Sequence, residues 1–107
     1  MTTWFVSRHP GALEWAARQG LQIDRFATHL DPAEVQGGDT VIGSLPVHLA
    51  AVVCQRGGRY LNLSVTLPAE LRGKELSADK LDQLGARLEQ YRIESAQKPV
   101  PTRAFKS

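Results

Sequence analysis

Apolar and polar positions along this chain fall into short β-type runs separated by stretches with apolar residues at helical spacing. Residues 3–7 (TWFVS) are the first such run. Pro10 follows where a first helical position would fall, which suits proline because that position needs no N–H. Residues 10–19 read as a helix closed by Gly20. Leu13, Ala16 and Ala17 share one face, Glu14 and Arg18 form an i,i+4 pair, and Trp15 points elsewhere, either half exposed or covering something. Residues 21–30 (LQIDRFATHL) read as a second strand with an irregular middle. Asp31-Pro32 and Gly37-Gly38 bracket a loop, and residues 40–43 (TVIG) form a third strand.

Residues 46–56 (PVHLAAVVCQR) read as a second helix, with proline at its start and glycines at its end. Its nearly continuous apolar character implies burial against a sheet. A fourth strand covers 59–65 (RYLNLSV). After a loop rich in turn residues, Ser77 caps a long amphipathic helix over 78–93, with Leu81, Leu84, Leu88 and Tyr91 at helical spacing. From about Ala96 the sequence is polar and proline-bearing and is expected to be disordered. Alternation of strands and helices predicts an α/β domain over 1–95 with a mostly parallel sheet flanked by helices.

At 107 residues the chain makes one small domain with a modest core, which a partner subunit would help to stabilise. Three of its thirteen Lys and Arg (Lys98, Arg103 and Lys106) lie in the tail 96–107, leaving ten against eleven Asp and Glu in residues 1–95. The folded part is therefore near neutral, which argues against strong nonspecific binding of duplex DNA. The single cysteine, Cys54, cannot form an internal disulfide. No run reaches the roughly 18 apolar residues of a membrane span, and no signal-peptide pattern is seen. These features predict a cytoplasmic protein without a membrane partner.

Candidate chemistry gathers at strand ends. In open parallel sheets, ligands bind beyond the carboxyl ends of the strands. The first strand delivers Ser7, Arg8 and His9, the second His29 and Asp31, the third Gly43 and Ser44 just before Pro46, and the fourth Asn62 and Ser64. Helices starting near 10 and 46 offer free N–H groups and a positive dipole end. Arg8 adds a planar fork for phosphate, His9 a proton carrier near neutral pH, and Ser7 and Ser44 neutral hydrogen bonds. This set describes a phosphate or phosphodiester site. Each residue also has a plain structural reading: His9 as a helix cap, Asp31 as a turn former, His48 as structural, Cys54 as core. Three scattered histidines make zinc improbable, and neither GxGxxG nor GxxxxGK[ST] is present, so no cofactor is expected.

The segments "TWFVSRHPGALEWA", "HLDP", "GDTVIGSLPVHLAA" and "YLNLSVTLPAELRGKELSADKL" resemble the small CRISPR-associated ring nucleases of type III systems. The resemblance runs over about residues 2–93. It implies a Rossmann-like domain similar to CARF domains, and cleavage of a cyclic oligoadenylate, most simply cyclic tetra-adenylate (cA4). It carries Ser7, Arg8 and His9 from the first segment and Gly43, Ser44 and Pro46 from the third. A ring nuclease of this kind needs no metal, because a ribose 2′-hydroxyl of the substrate can attack the adjacent phosphate. A twofold-symmetric ring suggests a homodimer with the ligand at its interface, and Trp15 or Tyr60 as walls for the bases. The competing readings are a cyclic-oligonucleotide sensor without turnover, an unrelated phosphatase or nucleotide hydrolase, and a structural partner of a CRISPR complex.

Overall fold

Strand β1 (Thr3–Val6) sorts its side chains by the two-residue period of an extended chain: Trp4 and Val6 enter one core cluster and Phe5 the other. The computed structural model describes residues 1–96 and 99–105. Around β1 lie α1 (Pro10–Arg18), β2 (Arg25–Ala27), β3 (Thr40–Gly43), α2 (Val47–Gln55), β4 (Arg59–Ser64), α3 (Ala78–Gln83) and β5 (Arg87–Tyr91). Short 3-10 turns occupy Pro32–Glu34, Ala69–Leu71 and Thr102–Phe105. The strands form one sheet in the order β2-β1-β3-β4-β5, with the first four parallel and β5 antiparallel to β4. The architecture is α/β and Rossmann-like.

Two cores line the two faces of the sheet. Ala50 and Val53 of α2 pack on Trp4, Val6, Val41 and Tyr60. On the other face Ala12, Trp15 and Ala16 of α1 and Ala78 and Leu81 of α3 pack on Phe5 and Ile42. The buried stripe of α1 is thus Ala12, Trp15 and Ala16, whereas the expected stripe includes Leu13, which is half-buried, and Ala17, which is exposed. Trp15 decides the helix's rotation: its large ring is buried and its Nε1–H donates to Asp82 at 3.0 Å, tying α1 to α3.

The long helix expected over 78–93 does not form. Ser77 caps α3 as anticipated, its Oγ accepting from the Lys80 N–H at 3.1 Å. Gly85 then takes φ +72, a left-handed conformation open to glycine, and the Ala86 N–H closes on the Leu81 carbonyl at 3.0 Å. Beyond that stop, residues 87–91 satisfy the otherwise open backbone edge of β4. Leu88, which fits helical spacing, also fits a strand and packs against the α1–α3 core. The second strand is shorter than the 21–30 run, because Leu21 and Ile23 turn inward to that same core. Of the tail, Lys98 and Lys106 lie outside the described residues, as do Gln97 and Ser107.

Candidate functional site

The strand order fixes where a site can form. From β1 the chain crosses to β2 on one side, then returns past β1 to β3 and β4 on the other. The connections leaving β1 and β3 therefore run to opposite faces, α1 on one and α2 on the other, and a crevice opens between them beyond the strand ends. Gly43 makes this junction possible. A side chain there would put its Cβ 2.6 Å from the Val6 carbonyl oxygen across the β1–β3 pair.

A cleft of about 440 Å³ fills this crevice. It is lined by Ser7, Arg8 and His9 after β1, by His29 after β2, and by Gly43, Ser44 and Pro46 after β3, with Leu30, Leu49 and Leu63 as apolar wall. Seven of the residues named from sequence thus meet in one place. Two do not line it. Asp31 accepts from the Ala33 N–H at 3.0 Å and caps the Pro32–Glu34 turn. Asn62 lies behind the cleft, between Tyr60 and Ser64. Trp15 and Tyr60, expected as walls for bases, are buried and cannot serve as such.

The local geometry leaves several groups available. Ser7 Oγ accepts from the His9 N–H at 3.1 Å, folding the 7–9 turn. His9 occupies the N-cap position of α1, yet its imidazole makes no capping bond. The Arg8 guanidinium is exposed and has no hydrogen-bond or ion-pair partner among the described residues. Pro10 is the first residue of α1 and Pro46 the cap of α2, so both nine-residue helices begin at the rim. The N–H groups of Gly11, Val47 and His48 have no backbone acceptor among the described residues. One unpaired cation, two helix starts and an imidazole make a place for an anion.

Residues 43–46 are pinned from below. Ser44 Oγ donates to the Leu63 carbonyl at 3.1 Å, and the Leu45 N–H donates to the Tyr60 hydroxyl at 2.9 Å. Tyr60, expected from the sequence as a wall for the bases, instead reaches the cleft's loop through its hydroxyl. Its signal was the polar alternation Tyr60, Asn62, Ser64, which puts three hydrogen-bonding side chains on one face of β4.

A larger groove, about 800 Å³, runs along the other side of α2 and is lined mainly by Val47, Ala51, Val52, Cys54 and Ile93. His48 is exposed there, and Cys54 is half-buried with Sγ 3.9 Å from the Tyr91 carbonyl. This groove lacks the convergent polar strand ends of the first cleft. Among the described residues no three His, Cys, Asp or Glu side chains are grouped to hold a metal ion. Among the described residues no helix is long and apolar enough to cross a membrane.

Residues 4–94, most of the chain, match the family model described as "Putative CRISPR-associated protein (Cas_VVA1548)". No curated protein and no solved structure matches the chain.

Proposed function

The chain belongs to this CRISPR-associated protein family, and from that premise we propose that it is a ring nuclease that binds and cleaves a cyclic oligoadenylate, in the first instance cA4. Cleavage of such a second messenger would switch off type III CRISPR signalling. The observation that carries the reading is the meeting of an unpaired Arg8 guanidinium with His9, Ser44 and two helix starts at one cleft at the β1–β3 switch point. That constellation suits a phosphodiester.

In the reaction, a ribose 2′-oxygen of the ring attacks the neighbouring phosphorus and loses its proton. The 5′-oxygen leaves with a proton, giving a linear product with a 2′,3′-cyclic phosphate and a 5′-hydroxyl. Arg8 holds the phosphate oxygens and meets the charge that grows on them. His9 transfers the proton, and the 43–46 backbone sets the in-line orientation. A cleft of about 440 Å³ sits near the lower end of ligand-pocket sizes and does not enclose a ring of four nucleotides. The ring is therefore shared by a homodimer, each protomer supplying one cleft.

One observation favours a sensor that binds without cutting: no side chain among the described residues orients the His9 imidazole. Incubation of the full chain with cA4 in EDTA, followed by chromatography, decides between them. Linear product is expected in wild type. Arg8→Ala is expected to raise KM and lower kcat, and His9→Ala to lower kcat by about 100-fold or more with a smaller effect on binding. Tight binding with no product would establish the sensor. Neither binding nor product would refute both.

A further inference from the structure

We infer that Tyr60 is a positioning residue of the cleft, holding through its hydroxyl the 43–46 backbone that faces the substrate phosphate. The inference rests on the phosphodiester reading of that cleft. Tyr60 is 2% exposed, on β4, and its ring packs in the core beneath α2. Its hydroxyl lies 2.9 Å from the Leu45 nitrogen, 3.1 Å from the Gly43 carbonyl oxygen and 2.5 Å from Asn62 Oδ1. The Leu45 N–H can only donate, so the phenol oxygen accepts there. The phenol has one proton and two acceptors in reach, and the shorter contact assigns it to Asn62.

Asn62 is oriented in turn. Its Nδ2–H donates to Ser64 Oγ at 2.8 Å, which turns Oδ1 toward the phenol. The result is a directed chain, Leu45 N–H to Tyr60 to Asn62, and Asn62 to Ser64. Burial pushes the phenol above its ordinary pKa, so it keeps its proton through the working pH range. Together with the bond from Ser44 Oγ to the Leu63 carbonyl, β4 grips both sides of the loop between β3 and α2. Leu45 sits in no helix or strand, so nothing in regular secondary structure would fix its amide otherwise. Asn62, which sequence reasoning places at the ligand, acts here through Tyr60.

The test is Tyr60→Phe, which keeps the ring and removes the oxygen. Amide hydrogen exchange by NMR should show Leu45 protected in wild type and at least tenfold less protected in Y60F, with core strand amides unchanged. In cA4 cleavage, kcat should fall about 10- to 100-fold with KM changed less, because misorientation acts on the reacting geometry. Val53→Ala, a variant of the same core that takes no part in this hydrogen-bond chain, should lower stability and leave kcat in place. A folded Y60F with wild-type Leu45 protection would overturn the inference, as would equal kcat in wild type and variant. If Y60F does not fold, wild type decides: a Leu45 amide exchanging at the rate of a free peptide overturns it. Absence of cleavage in wild type would refute the proposed function alone, since Leu45 exchange still reads the hydroxyl's role.

Discussion

Asp39 is 2% exposed and the charged side chain buried among the described residues. Its two oxygens accept from the backbone N–H groups of Thr2 at 2.8 Å and Gln36 at 2.9 Å, and from Trp4 Nε1–H at 3.3 Å. The Gln36 and Thr2 amides, with help from Trp4, hold its carboxyl below its ordinary pKa of 3.8 against the opposing effect of burial. The sign follows from linkage: the unfolded chain takes up the proton first as pH falls. The contribution to stability is complete above 3.8 and is lost as pH drops through the lower folded value. Asp39→Ala should cost about 2 to 4 kcal/mol at pH 7, since three donors lose a charged acceptor. Urea denaturation at pH 7 and at pH 3 checks this: the gap between wild type and variant should narrow at the lower pH. Sequence reading singles out Asp31, beside a proline, because turn chemistry is local. Asp39 escapes it because two of its three partners, Thr2 and Trp4, lie at the start of the chain, and only the fold brings them to the local turn that Gln36 makes.

At the scale of elements, most of the order from β1 to β4 was legible, because each run of apolar residues is bounded by proline or glycine at a meaningful place. The failure at α3 and β5 has a definite cause. Leu81, Leu84, Leu88 and Tyr91 obey a helical period across Gly85, and periodicity does not register that one residue takes φ +72. Nor does it register that β4 has an open edge to fill. The two glycines that matter here differ in kind. Gly85 has nothing within 4 Å of a would-be Cβ, so Gly85→Ala suffers only backbone strain, about 1 kcal/mol. Gly11, in the first turn of α1, would place a Cβ 1.9 Å from the Leu76 carbonyl oxygen, which is backbone and cannot rotate away. Gly11→Ala should therefore cost about 3 kcal/mol or abolish folding. Thermal melts of the two variants should rank in that order. An equal effect would mean that α1 and the segment before α3 are less closely packed than described.

For the whole molecule, the rule that ligands sit beyond parallel strand ends pointed to the end of the sheet where this cleft lies. It could not choose among the gaps, because strand order is a nonlocal property. Once β1 and β3 are neighbours and the connections part between them, Ser7, Arg8, His9, His29, Gly43, Ser44 and Pro46 share a cleft, while Asn62, one strand further, falls behind it. Charge is distributed on a different plan from the site. The chain carries net charge +2, but without Lys98, Arg103 and Lys106 the remaining ten cations against eleven acids give −1. Among the described residues the buried core ends at Leu81, and the last partly buried apolar group packed on it is Ile93. A chain ending at Ser95 should therefore melt within a few degrees of the full chain. Under the proposed function it should also cleave cA4 at an unchanged kcat, because the cleft's cation is Arg8 and no described tail residue lines it. The salt dependence of binding separates two roles for the tail. If the cleft alone neutralises the phosphates, the slope of log affinity against log salt is the same for both chains. A slope shallower by about two to three in the truncated chain would assign the tail's cations to the ligand, and loss of turnover would place part of the catalytic apparatus beyond Ser95.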